Sequence, residues 1–168
     1  MESTKTRILK KLLETDGYLS GQDLCEQLGV SRTAVWKYMK QLKEEGYEIE
    51  AVQNKGYCLK DVPDVLGESE IKSRLHTRWA GQTLYYYDEI DSTNTQIKRL
   101  AEEDAPHGTL AVADYQSRGK GRRGRAWDSP HGSAIYMSIL FRPEILPDRA
   151  SMLTLVIGLS VTQAIRSN

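Results

Sequence analysis

The spacing of apolar side chains over the first sixty residues predicts three helices followed by a hairpin. Ile8, Leu9, Leu12 and Leu13 recur at helical intervals within residues 4–15, and Asp16-Gly17 closes that segment. Ser20 is placed to cap a second helix, with Asp23 in its first turn, Leu24 and Leu28 inward and Gly29 as the stop. Ser31 caps a third, whose apolar positions are Ala34, Val35, Met39 and Leu42, and Gly46 ends it. The period then changes. Tyr47-Glu48-Ile49-Glu50-Ala51-Val52 alternates, Asn54-Lys55-Gly56 turns the chain, and Tyr57-Cys58-Leu59 returns. Residues 61–68 hold Pro63 and Gly67 and few strong formers. They divide a first domain, 1–62, from a second, 69–168, through a linker at 63–68.

The second region changes character. Residues 83–87 are β-rich, and Ser92 is placed to cap a helix reaching about Glu103 with Ile97 and Leu100 inward. Residues 109–113 and 134–141 read as strands around a basic, glycine-rich loop at 116–128, and a helix is expected from Ala150 onward. Strands alternating with helices predict a mixed α/β sheet, so the fold class is α+β overall. These strands leave a sheet unfinished at Ser167-Asn168, and the chain reads as a fragment.

Composition narrows the function classes. Hydrophobic residues make up 39% of the 168, enough for packed cores. Lys plus Arg and Asp plus Glu both number 23, so an anionic partner must be read from local placement. Cys25 and Cys58 have no metal-ligand spacing and read as free thiols. Residues 1–11 are charged and lack a signal-peptide core. The longest apolar stretch, 152–165, is broken by Thr154, Gly158, Ser160, Thr162 and Gln163, whereas a bilayer span needs about 20 apolar residues. A soluble, cytoplasmic protein without a membrane partner or metal site is expected.

Two short helices joined by Leu28-Gly29-Val30-Ser31, then a hairpin, is winged helix-turn-helix order. The third helix would direct Ser31, Arg32, Thr33, Trp36 and Lys37 toward a DNA groove, and Lys55 at the wing tip toward a neighbouring backbone. Residues 1–60 carry ten Lys/Arg against nine Asp/Glu, so a protein-interaction module with Trp36 in its core is the alternative.

Between Arg118 and Arg125 five cations alternate with three glycines. Such a loop can wrap backbone N–H and guanidinium groups around phosphate or carboxylate oxygens, and its charge and glycine content predict mobility without an anion. Gly119-x-Gly121-x-x-Gly124 matches a dinucleotide fingerprint as a string, but Ser129-Pro130 follows instead of a helix. A solvated basic loop or a nucleic-acid contact also fits. Ser92, Thr93, Asn94 and Gln116 are neutral donors and acceptors suited to an uncharged, urea-like group.

Ser92-Thr93-Asn94, Tyr115-Gln116, Gly119-Lys120-Gly121-Arg122-Arg123-Gly124-Arg125-x-Trp127, Ser129-Pro130-x-Gly132 and Tyr136-x-Ser138 together resemble the biotin protein ligase family. Residues 25–37 and the wing ending Lys55-Gly56-Tyr57 resemble its regulatory members, which also repress the biotin operon. The resemblance implies a winged helix-turn-helix followed by the first part of a class II synthetase-like catalytic domain. It implies ATP-dependent formation of biotinyl-5′-AMP, transfer of biotin to a lysine of a biotin carboxyl carrier protein, and ligand-promoted homodimerisation on operator DNA. Biotin and ATP would be substrates, with Mg2+ accompanying ATP. Ser92, Thr93, Asn94 and Gln116 would face the ureido end of biotin, with Lys120, Gly121, Arg122 and Tyr136 lining the rest of its pocket. Arg122 would be catalytic, and Arg123, Arg125 and Trp127 would take the nucleotide. Lys120 stands where the family commonly has Arg, which matters only for a forked side-chain contact. The family's downstream Lys-Trp-Pro-Asn-Asp motif and small C-terminal β domain have no counterpart here. Activity is therefore expected of a complete protein, with a non-catalytic DNA-binding biotin sensor as the alternative.

Overall fold

The computed structural model describes residues 3–64 and 66–167, with all their side chains except those of Arg122 and Pro147. Residue 65 of the expected linker lies outside them. Three helices open the chain: α1 (Thr4–Leu13), α2 (Gly21–Leu28) and α3 (Arg32–Glu44). Each starts where a serine satisfies free N-terminal N–H groups. The hydroxyls of Ser3, Ser20 and Ser31 accept from Thr6, from Gln22 and Asp23, and from Ala34 respectively. Gly29 ends α2 in the left-handed region at φ 66°, a conformation that costs a Cβ-bearing residue strain and turns the chain sharply into α3. Ile8, Leu9, Leu12, Leu24, Leu28, Val35, Met39 and Leu42 fill the space between the helices, closed by Tyr47 and Ile49.

The wing is an antiparallel pair, β1 (Glu48–Val52) and β2 (Gly56–Asp61). Leu19 adds a bridge on its other edge, exchanging N–H···O bonds of 2.7 and 2.9 Å with Tyr57. Just past the expected linker, the chain forms a short helix that its sequence did not announce, α4 (Glu68–Arg74), which packs against α1. Lys72 pairs with Glu68 and Arg74 with Glu70, each one helical turn apart.

The second unit is a three-stranded mixed sheet. Strand β3 (Leu84–Ile90) lies parallel to β4 (Leu110–Gln116), connected by α5 (Thr93–Glu102). Strand β7 (Tyr136–Ile139) pairs antiparallel with β4. Ile97 and Leu100 of α5 bury against Ala111 and Ala105. The expected loop at 116–128 contains a small hairpin, β5 (Gly119–Lys120) against β6 (Ala126–Trp127), with a 3-10 turn at Arg122–Gly124. Helix α6 (Leu153–Arg166) follows a 3-10 segment, Pro147–Met152, and so starts later than the sequence predicts. None of its described residues is buried, although Leu155, Val156, Ile157, Leu159, Val161 and Ile165 are apolar.

Candidate active site

The site forms where the C-terminal ends of the parallel strands meet the N-terminus of α5. Ser92 occupies the cap position with an extended backbone, φ −167°, and its hydroxyl does not cap. Its Oγ is buried, with Ser92 only 1% exposed, and has no hydrogen-bond partner among the described residues. An unpaired buried hydroxyl costs free energy that a bound polar group would recover. Thr93 next to it is engaged. Its N–H donates to Gln116 Oε1 at 2.8 Å, and its Oγ1 lies 3.1 Å from that same atom and 3.0 Å from Ser138 Oγ. Gln116 Nε2 donates to Ser129 Oγ at 2.9 Å. Thr93, Gln116, Ser129 and Ser138 thus form one neutral polar network beside the free Ser92 hydroxyl.

Asn94 is exposed on α5, apart from that network. Tyr136 is buried and donates to the carbonyl of Pro130 at 3.1 Å, which holds the chain segment carrying Ser129. Ser129 and Ser138 were not singled out as site residues from the sequence. Their only signal was their place in the motifs, because hydroxyl side chains on short strands and loops carry no period.

Sterics shape the basic hairpin. A Cβ on Gly119 would sit 2.3 Å from Trp127 O and 2.7 Å from Ser129 Oγ, so only glycine lets the two limbs close. The Gly121 N–H donates to Arg125 O at 2.8 Å across the tip. Lys120, Arg123, Arg125 and Trp127 are exposed, the indole 62% so. Gly121, Arg123, Arg125, Ala126 and Trp127 line a concavity of about 480 Å³. The Arg122 side chain, the expected catalytic group, lies outside the described side chains; its backbone begins the 3-10 turn at the hairpin tip.

The return limb is anchored as well. His131 Nδ1 lies 2.7 Å from Asp114 Oδ2, and its ring stacks on Tyr115 with centroids 4.6 Å apart. The Gly132 N–H donates to Asp114 Oδ1 at 3.1 Å. The hydrogen bond with His131 is the main cause holding the Asp114 carboxyl below its ordinary value, and the Gly132 N–H adds to it.

Residues 86–168 match the model of the Biotin/lipoate A/B protein ligase family, and residues 4–58 match that of an HTH domain. The chain thus carries a biotin/lipoate A/B protein ligase domain behind an HTH domain. It is similar to the bifunctional ligase/repressor BirA of Bacillus spizizenii, 45% identical over 99% of this chain and 52% of that protein. BirA of Bacillus subtilis is 44% identical over 98% of this chain and 51% of its own length; for Escherichia coli BirA the figures are 36%, 92% and 47%. The chain thus spans about half the length of these relatives. Among solved structures, the biotin protein ligase from Aquifex aeolicus in complex with biotin and ATP is 38% identical over 51% of this chain and 35% of that one, with a TM-score of 0.44.

Ahead of this ligase domain the helix-turn-helix face is open. Ser31, Arg32, Thr33, Trp36 and Lys37 are all exposed on α3. Trp36 is 61% exposed, so it is not the core residue of the alternative considered above. Arg32 Nη2 donates to Gln22 Oε1 at 2.6 Å, which ties this side chain to α2. Lys55 at the wing turn lies over the Tyr18 ring, 5.5 Å from its centroid. No helix among the described residues is long and apolar enough to cross a membrane.

Proposed function

We propose that the whole protein activates biotin with ATP to biotinyl-5′-AMP and passes the biotinyl group to a lysine of a biotin carboxyl carrier protein. We further propose that its winged domain represses transcription at an operator in response to that adenylate. The observation that carries the reading is the buried Ser92 hydroxyl, unpartnered among the described residues and beside a neutral polar network, next to a segment with five cations between Arg118 and Arg125. The first feature suits an uncharged ureido ring. The second suits a carboxylate and a polyphosphate that must be brought together against their mutual repulsion.

In the first step a carboxylate oxygen of biotin attacks the α-phosphorus of ATP and pyrophosphate leaves. In the second a lysine amine attacks the activated carbonyl, loses a proton, and AMP leaves. Arg122 at the hairpin tip neutralises the carboxylate and the α-phosphate during the first step. Arg123 and Arg125 face the phosphates, and Trp127 covers the adenine. Lys120 and Gly121 line the valerate end, Tyr136 flanks the pocket, and Asn94 stands at its rim. Mg2+ would accompany ATP as its counter-ion, and no step is assigned to it.

Binding of the adenylate neutralises the hairpin, and two copies then pair to place two α3 helices on operator half-sites. A cytoplasmic protein has ATP, the carrier and DNA all within reach. The test is biotin-dependent exchange of labelled pyrophosphate into ATP by the whole protein. Exchange that requires biotin and falls at least tenfold in Arg122→Ala supports the reading. Biotin-responsive operator binding without any exchange would identify a non-catalytic sensor instead.

A further inference from the structure

Asp91 sits between β3 and α5, and its groups reach two parts of the site at once. Its Oδ1 accepts from the Ser92 N–H at 2.7 Å, which holds Ser92 in the extended conformation that keeps its hydroxyl off the helix cap. Arg99, two turns along α5, grips the same carboxylate with both prongs: Nη2 to Oδ2 at 2.8 Å and Nη1 to Oδ1 at 3.3 Å. Gln96 Oε1 accepts from that Nη1 at 3.2 Å and helps fix the fork. The backbone carbonyl of Asp91 accepts from the Arg118 N–H at 2.8 Å, and that of Ile90 accepts from the Ser117 N–H at 2.9 Å. The two residues that lead into the basic hairpin are therefore bonded to the two residues that precede Ser92.

The hydrogen bond with Arg99 is the main cause of the lowered Asp91 pKa; the charge of Lys120 on the hairpin contributes less in the same direction. The pair is partly exposed, with side chains 51% and 33% accessible for Arg99 and Asp91. An ion pair of that kind adds little to global stability. Its bonds instead go to the two segments that must keep register with each other.

We infer that Asp91, clamped by Arg99, is a positioning residue that couples the placement of Ser92 and Thr93 to that of the Gly-Arg hairpin. This deepens the proposed biotin-activating function and rests on it for its kinetic consequence. Neither side chain touches the reacting atoms. Arg99 acts through Asp91, and Asp91 through the Ser92 N–H and its own carbonyl. Small misplacements of reacting groups cost large factors in rate, so loss of the clamp registers in catalysis before it registers in stability.

The experiment uses Arg99→Ala, with Arg99→Lys as the conservative variant that keeps the charge and loses the fork. In the 168-residue chain, residue-resolved amide exchange should speed up at Ser92, Ser117 and Arg118 in Arg99→Ala, with α1 and α3 unaffected. In the whole protein, KM for biotin should rise about tenfold or more with a smaller change in kcat. Arg99→Lys should recover part of that rise, and the unfolding midpoint should barely move. Unchanged exchange at Ser117 and Arg118 overturns the coupling, whatever the enzyme does. Faster exchange at these amides with an unchanged KM for biotin in an active parent overturns the positioning role. A whole protein without biotin-dependent exchange defeats the proposed function, and the amide measurement still decides whether the clamp couples the two segments.

Discussion

The Tyr47 hydroxyl donates to Glu70 Oε2 at 2.7 Å, joining the end of the helix-turn-helix core to α4. Burial of the ring, followed by the bond to Glu70, raises the phenol pKa above its ordinary value. A phenol whose folded pKa is raised stabilises the fold fully below its unfolded value of 10.0, and that contribution is lost as pH rises through the folded value. Tyr47→Phe should cost ~1.5–3 kcal/mol at neutral pH, the range for a hydrogen bond to a charged acceptor. Denaturant melts at pH 8 and above pH 10 should show the difference between parent and variant shrinking at the higher pH. A constant difference would show that this bond is not its source.

An acid-side counterpart lies at the return limb of the basic hairpin. Asp114 has a lowered folded pKa, so its contribution is present above its unfolded value of 3.8 and is lost as pH falls through the lower folded value. Asp114→Asn should remove part of the acid sensitivity of the ligase unit while leaving the winged domain unchanged. Following the Trp127 and Trp36 signals separately during acid titration would check this, since the two indoles report on different units.

Helix α6 is expected to be the weakest element of the isolated chain. A helix of this length is marginal in water without tertiary packing, and none of its described residues is buried. Amide exchange along α6 should be close to unprotected while α1 is strongly protected. Leu155, 76% exposed, should tolerate Ala within about 0.5 kcal/mol. Leu12→Ala in the winged core should cost ~2–5 kcal/mol. Equal costs at the two sites would contradict this assignment of α6.

On the winged domain, Arg32→Ala and Lys37→Ala should weaken operator binding without changing pyrophosphate exchange by the whole protein. If Lys37 meets a phosphate, its removal lowers the salt slope by about one unit. Binding that is unaltered across a salt titration would move the DNA-facing surface away from α3.

The winged domain was legible because local chemistry and global packing agree there. Ser20, Ser31 and Gly29 mark boundaries that the helices obey, and the apolar stripe of each helix is the buried one. Helix α4 escaped because it is short and charged and follows Pro63 and Gly67, so its stability comes from docking on α1 rather than from a stripe of its own. The β5–β6 hairpin escaped because two-residue strands carry no alternation, and the closeness of its limbs depends on Gly119 in three dimensions. Strand β3 runs on through Asp88 and Glu89 because pairing with β4 outweighs their low strand propensity. Ser92 was correctly placed at a helix start, but the Asp91 carboxylate draws its N–H into an extended backbone, and its hydroxyl is left free. That freedom is a property of tertiary hydrogen bonding and has no signature in the residue order.

Recognition of the ureido ring by Ser92 and Thr93 is tested most directly by comparing biotin with an analogue methylated on a ureido nitrogen. The two affinities would be measured by calorimetry on the whole protein, its Ser92→Ala variant and its Thr93→Val variant. The parent should bind biotin about ten- to hundredfold more tightly than the analogue, because methylation leaves a buried polar group unpaired. That gap should narrow to a few-fold in both variants. A gap of the same size in all three proteins would show that these hydroxyls do not read the ureido ring.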